Sequence, residues 1–452
     1  MKYRVSYSDA IRLVFSGLGP FMRFLAHRVL LCGVLSVAAP SVGFANEVMT
    51  GFPPTSDSQV TKANYLAPPF NRWAFRNAGA PLNTLMVPRG GAIHSFRRDE
   101  NLLDSYRTAD GETLTSLFSR NYADGFLVVK SDTLLLEEYF DGASATDHHL
   151  WFSMTKSLVS ALFGQYVAAG KVKLTDSPTT IIPALEGTAF DRVTVQHVLD
   201  HATGLAFKEN YTDPDSEFAR FYGPALGMTY KPNAADVFPE PDVIYGVYDF
   251  LTQFVKPDEN IIPGEQFAYN SANADLLGWL TVTISQEPLN KLISQSIWQH
   301  IGAEHDAFIA VDRAYMPVAT GGFNATLRDA ARFGMMIRDR GKFGDQQLVP
   351  EAWLDAHLEV SQRDLDNMRH NGIYKNMPWT AYRNMWWILD AEAEEFCAVG
   401  IHGQVIYINR SADVVMVWYS SQPDASAAVS PHFLPKLSAA RELAHSLKTQ
   451  GD

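Results

Sequence analysis

Residues 125–156 read GFLVVKSDTLLLEEYFDGASATDHHLWFSMTK. Gly125–Lys130 and Thr133–Phe140 are apolar runs of strand length, with Ser131-Asp132 as a two-residue turn between them. This pattern predicts a β-hairpin. Asp141-Gly142 then turns the chain toward Ser153. From Ser153 to Ala169 the apolar residues Leu158, Leu162 and Val167 recur at helical spacing, and Gly170 supplies a stop. A strand pair therefore delivers the chain to a helix that opens on Ser153-Met154-Thr155-Lys156.

That opening can carry chemistry. A serine hydroxyl is a poor nucleophile until a base takes its proton. Positions i and i+3 share one helix face, so the Lys156 amine can reach the Ser153 hydroxyl. A lysine acts as a base only when largely neutral, a state that burial and nearby positive potential both favour. The helix start supplies such potential, and its free N–H groups can hold an oxyanion.

Further along the chain, Val193–His201 is expected as a short helix, followed by Ala274–Ser285, Leu289–His300 and Leu327–Arg338, the last capped at Thr326. Val405–Asn409 and Val414–Tyr419 read as two strands around Ser411-Ala412-Asp413, and Phe433–Leu447 as a terminal amphipathic helix. Residues 205–265 are dense in aromatics and prolines. They are expected to form long loops and short helices over a pocket. Strands near both ends with helices between them imply an α+β architecture, with the first and last hairpins sharing one antiparallel sheet.

The chain has 452 residues, 46% hydrophobic and 19% charged, which is globular composition. A net charge of −13 argues against nucleic acid as a partner, because phosphate binding needs a basic face. From Met22 the sequence reads MRFLAHRVLLCGVLSVAAPSVGFANEV. Arg23 and Arg28 form a positive segment, Val29–Ala39 an apolar one, and Gly43-Phe44-Ala45 places small residues where a signal peptidase reads. Residues 1–45 are therefore expected to be a secretory signal, with translation starting at Met22. A periplasmic or secreted protein follows, without stable membrane insertion after cleavage. The segment removes five basic residues and one acid, leaving a mature charge of about −17. It also removes Cys32, so Cys397 would have no disulfide partner.

Two further segments hold candidate side chains. Tyr269-Asn270-Ser271-Ala272-Asn273 precedes an apolar helix. A phenol beside a lysine can pass a proton to a leaving group, although the same segment also reads as a turn with an N-cap. Gly400-Ile401-His402-Gly403-Gln404 opens a strand whose edge could offer an N–H to an oxyanion. His402 could orient substrate or the tyrosine, or could be an ordinary surface histidine.

In this order the three segments resemble the penicillin-recognising serine hydrolases: class C β-lactamases, D-alanyl-D-alanine carboxypeptidases, related esterases and 6-aminohexanoate-dimer hydrolase. The resemblance covers roughly residues 120–425. Val193–Gly204 and Gly321-Gly322 also resemble that family's segments. The fold it implies is α+β and β-lactamase/transpeptidase-like, an antiparallel sheet flanked by helices plus a helical lobe. Residues 46–115, rich in Pro, Gly and Asn, are expected as an irregular leader, followed by a sheet lobe at 116–175 and 321–452 and a helical, loop-rich lobe at 176–320.

The resemblance makes Ser153 the acylated nucleophile, Lys156 its base and Tyr269 the catalytic tyrosine. His402-Gly403-Gln404 falls where β-lactamases carry Lys-Thr-Gly, and Ser271 where they carry Asn. Both departures look more like the 6-aminohexanoate-dimer hydrolase branch. So does the loop Glu209-Asn210-Tyr211-Thr212-Asp213-Pro214, whose tyrosine in that branch sits over the substrate. Tyr211 and Asn324 are the further substrate-binding candidates.

His197 and His201 lie four residues apart, but His-Val-Leu-Asp-His lacks the glutamate of the zinc motif, so no metal is expected. No glycine-rich nucleotide pattern follows a strand, so no cofactor is expected. The leading expectation is a serine hydrolase that cleaves a small linear amide or ester through an acyl-enzyme. The alternatives are a β-lactamase or D-alanyl-D-alanine carboxypeptidase, and a non-catalytic binding protein on the same fold.

Overall fold

The computed structural model describes residues 48–99, 101–211, 213–227 and 246–449. The proposed signal at 1–45 and part of the aromatic segment, residues 228–245, lie outside them.

The hairpin forms as its sequence suggests. Strand β3 (Ala123–Lys130) pairs antiparallel with β4 (Thr133–Tyr139). The terminal pair, β13 (Gln404–Asn409) and β14 (Val414–Ser420), joins it edge to edge, with Val414 opposite Lys130 and Trp418 opposite Phe126. The two expected hairpins thus share one sheet. These strands are apolar on both sides because both faces are covered: β13 and β14 are buried at every position.

Four more strands widen this sheet. β2 (Arg97–Arg98) runs parallel to β4 at one edge. β10 (Ala381–Arg383), β11 (Trp386–Asp390) and β12 (Glu395–Gly400) extend the other, giving the order β10-β11-β12-β13-β14-β3-β4-β2. A second sheet has the order β1-β6-β7-β5, from β1 (Thr84–Val87), β5 (His149–Leu150), β6 (Ala307–Ala310) and β7 (Phe323–Ala325). A two-strand hairpin, β8 (Lys342–Phe343) and β9 (Gln346–Gln347), stands apart.

The leader departs from the irregular chain expected of it. It contributes helix α1 (Phe70–Arg76) and a strand to each large sheet, β1 and β2. The run Thr84-Leu-Met-Val87 satisfies its backbone on β6, far along the chain, so the pairing has no local signal. Helix α2 (Leu114–Arg120) follows, capped by Thr113.

Helix α3 (Met154–Ala168) touches β12 and β13, and is buried from Met154 to Gly164. Helix α4 (Val195–Leu199) and α5 (Ala272–Ser285) pack together, and α5 also packs on α3. Helix α6 (Leu327–Arg338) lies across β13, β14 and β3, with Thr326 accepting the Asp329 N–H as its cap. The C-terminal helix α7 (Leu434–Thr449) packs on α2. This is the expected α+β arrangement. Among the described residues no helix is long and apolar enough to cross a membrane. Cys397 is buried in β12 with a free thiol.

Candidate active site

Between β5 and α3 the backbone turns at Phe152, whose φ of +47° lies in the left-handed region that non-glycine residues rarely adopt. Ser153 follows as the N-terminal flank of α3 and makes no side-chain capping bond. Its hydroxyl is engaged elsewhere: Lys156 Nζ, one helical turn on, donates to Ser153 Oγ at 2.8 Å. Ser153 is partly exposed, whereas Lys156 is 1% exposed.

Lys156 Nζ also donates to the Thr320 carbonyl at 2.8 Å. Burial lowers its pKa to about 8, against the opposing pull of the Glu209 and Asp275 carboxylates. The amine can therefore be neutral close to physiological pH, as a base for serine must be.

Tyr269 is held just before α5. The Ala268 N–H donates to the His201 carbonyl at 3.0 Å, and the Asn270 N–H to His201 Nδ1 at 3.0 Å. That contact requires an unprotonated Nδ1, and burial together with the nearby Lys156 charge keeps His201 well below its ordinary pKa. The Tyr269 ring stacks on Trp387, with centroids 5.4 Å apart, and Lys156 Nζ lies 5.2 Å from its centre. Tyr269 and Ser153 line the same cleft. Burial first, and the Glu209 charge second, raise the phenol well above its usual pKa, so it stays protonated.

Ser153 sits where two narrow clefts meet, of about 30 and 40 Å³. One is walled by Tyr211, Phe218, Tyr222 and Leu226, the other by Tyr269, Tyr374, Trp379 and Trp387. Tyr211 lines both. Its hydroxyl donates to Glu209 at 2.6 Å, and Glu209 also accepts the Ser271 N–H. The glutamate thus ties the loop to the start of α5.

The end of β12 completes the site. Gly400 and Ile401 line the second cleft, and Ile401 lines both. A Cβ on Gly400 would lie 2.3 Å from the Trp151 carbonyl oxygen, so only glycine lets this strand end approach the turn before Ser153.

The next three residues are placed differently from expectation. His402 is a core residue, 3% exposed, neither a surface histidine nor part of the cleft lining. Its φ of +59° and Gly403's +92° swing the segment inward. The ring packs 5.0 Å from Phe75, and Nδ1 donates to the Gln422 carbonyl at 2.8 Å. Burial lowers its pKa to about 4, so it carries no charge for a substrate. Gln404 is consumed by β14, donating to the Ser420 carbonyl at 2.6 Å and accepting its N–H at 2.9 Å. Asn324 lies in β7, buried, and donates to the Gly322 carbonyl at 2.8 Å, outside the lining of both clefts.

Sequence reasoning missed Thr320, Asp275 and the Tyr374–Trp379–Trp387 wall. Asp275 had a visible signal, an acid within the apolar helix run Ala274–Leu280. The carbonyl of Thr320 had none, because any residue carries one.

His197 and His201 do not form a pair. His197 closes a capping box with Thr194, while His201 faces Tyr269.

Known proteins resemble this chain in sequence and in fold. A family model described as Beta-lactamase matches residues 121–436. The 6-aminohexanoate-dimer hydrolase of Paenarthrobacter ureafaciens is 30% identical over 374 residues, 82% of this chain and 91% of that protein. A solved structure described as a candidate 6-aminohexanoate-dimer hydrolase from Bacillus anthracis superposes with a TM-score of 0.75 at 26% identity, over 88% of this chain and 99% of that one. EstCE1, a hydrolase with promiscuous acyltransferase activity, shares the fold at 13% identity and a TM-score of 0.54, over 74% and 96% of the two chains. The chain belongs to the β-lactamase family, with the fold of the β-lactamases and transpeptidases, and is a serine hydrolase of amidase or esterase type similar to 6-aminohexanoate-dimer hydrolase.

Proposed function

We propose that the protein hydrolyses small linear amides or esters through an acyl-enzyme on Ser153. The observation that carries this reading is the 2.8 Å contact from a buried Lys156 amine to a Ser153 hydroxyl at the meeting of two aromatic clefts. Neutral Lys156 takes the hydroxyl proton as Ser153 Oγ attacks the carbonyl carbon. The backbone N–H groups of Ser153 and Ile401 are assigned to the oxyanion. This moves the second donor from the strand after His402 to the cleft-lining residue before it. Tyr269 gives its proton to the leaving nitrogen or oxygen, and the proton held on Lys156 restores the phenol. Water then attacks the ester, Ser153 leaves, and the free acid departs.

The cleft walls suit an unbranched chain of methylenes, flat rings on either side with few polar atoms. Among the described residues lining the two clefts, none is Arg, Lys or His. 6-Aminohexanoate dimer, a β-lactam and a D-alanyl-D-alanine peptide all carry a carboxylate, so this lining does not discriminate among them. The name of the relative suggests 6-aminohexanoate dimer as the amide to test. The mature chain and its Ser153→Ala variant would be assayed on that dimer and on p-nitrophenyl butyrate. Turnover by the first and none by the second is expected. Equal turnover by both would overturn the reading, and turnover of neither would favour the non-catalytic alternative.

A further inference from the structure

Asp275 is a buried acid in the first turn of α5, 3% exposed, and it lines neither cleft at Ser153. Its two oxygens have different partners. Oδ1 accepts the Thr320 N–H at 3.0 Å, and Oδ2 accepts the Tyr222 hydroxyl. Thr320 is the residue whose carbonyl receives Lys156 Nζ. Gly278, three residues beyond Asp275 and so on the same face of α5, presses on the same segment: a Cβ there would lie 2.5 Å from Ala319 Cβ. One face of α5 thus grips residues 319–320 by a charge-assisted hydrogen bond and by contact.

We propose that Asp275 is a positioning residue for the Ser153–Lys156 pair, holding Thr320 so that its carbonyl fixes Lys156 Nζ on Ser153 Oγ, and supplying the carboxylate that offsets the ammonium while Lys156 carries the serine proton. The proposal rests on the acyl-enzyme reading and adds a part to it.

Among the described residues, several titratable groups face the two. Around Lys156 stand Glu209 from the Tyr211 loop, His201, Tyr269 and Asp275. Around Asp275 stand Tyr222, Tyr248, Asp312 and Lys156. His201 is uncharged and the phenols are protonated, since burial pushes each away from its charged form. The local charge balance therefore lies with one amine and the acids Glu209, Asp275 and Asp312. Burial raises Asp275, and the bonds from Tyr222 and Thr320 together with the Lys156 charge oppose that rise. Asp275 in turn raises Lys156. Removing its charge should make Lys156 easier to deprotonate but a weaker base.

The test uses the full chain with Asp275→Asn and Tyr222→Phe, beside wild type and Ser153→Ala. Asparagine keeps an acceptor for the Thr320 N–H, loses the charge, and turns the acceptor of the Tyr222 hydroxyl into a donor. The rate of inactivation by phenylmethylsulfonyl fluoride, followed across pH, reads serine activation without needing the natural substrate. For Asp275→Asn the acid limb should move down by about half to one pH unit, making the fraction of the plateau rate reached at low pH about three- to tenfold higher, while the plateau falls. Tyr222→Phe should move the limb the same way by less, because Asp275 loses a donor that favours its charged form. Wild-type limbs and plateaus in both variants would overturn the role of Asp275. If Asp275→Asn fails to fold by circular dichroism, Tyr222→Phe decides by the same criterion. A wild type that never reacts, or a Ser153→Ala variant that reacts equally, would overturn the acyl-enzyme reading and this role with it. A reactive wild type, a silent Ser153→Ala and unshifted variants would overturn the Asp275 role alone.

Discussion

Lys156 Nζ is held on the carbonyl oxygen of Thr320, 164 residues further along the chain, at the same 2.8 Å that separates it from Ser153 Oγ. Two fixed acceptors aim the amine, and burial gives it access to its neutral form at moderate pH. Replacing it tests base catalysis apart from folding. Lys156→Met should lower hydrolysis by about 10²–10⁴-fold, the range for a general base. Folding should survive, since a buried ammonium is costly and methionine fills a similar volume. Steady-state rates and a thermal melt on one preparation check both halves. Loss of activity with loss of the fold would refute the separation.

Tyr269 is assigned the proton for the leaving group, so its importance should depend on what leaves. An amine must be protonated to depart, whereas p-nitrophenolate is stable without a proton. Tyr269→Phe should therefore slow an amide by about 10²-fold or more. It should slow p-nitrophenyl butyrate far less. Equal losses on both substrates would make the ring a packing element against Trp387 instead.

The lowered Lys156 pKa sets the direction of the pH response. In the proposed mechanism the neutral amine is the active form, so kcat/KM should rise with pH through about 8 and level off above it. His402 and His201 are kept neutral by burial and should add no step between pH 6 and 7. A pH–rate profile on p-nitrophenyl butyrate reads this. A limb centred near the ordinary histidine pKa would assign the base to another group.

His402 packs against Phe75 and Phe152 and donates to the Gln422 carbonyl. His402→Ala should thus cost stability, about 1–3 kcal/mol for the lost packing and the buried carbonyl left without its donor. KM should stay within about twofold for the folded fraction, because the ring lies outside the substrate's reach. Chemical denaturation and KM together decide; a large rise in KM at unchanged stability would restore a substrate-orienting role.

Much of the site was legible because its signals are local. Ser153 and Lys156 are one helical turn apart, so their meeting follows from helix geometry. Both hairpins carry turn residues between apolar runs, and their shared sheet followed from topology. The strands at Ala381–Arg383 and Trp386–Asp390 went unread because Trp386-Trp387 gives no alternation and the turn at Asn384-Met385 uses two non-glycine residues at positive φ. The pairing of Thr84–Val87 with Ala307–Ala310 had no signal, since strand partners 220 to 226 residues apart leave no mark on either segment.

His402 shows where local reading ends. The sequence places a histidine at a strand opening, but whether it meets substrate depends on backbone torsion at two residues and on the space left by Phe75 from the leader. Residue types and short spacings pointed to Ser153 and Lys156 as the candidate pair and settled the α+β class and the hairpins, because covalent geometry spans those distances. The identity of the cleft walls, the Thr320 carbonyl under Lys156, the burial that tunes the amine and the removal of His402 from the site came from tertiary packing. Desolvation and long-range hydrogen bonds exist only once segments hundreds of residues apart are brought into contact.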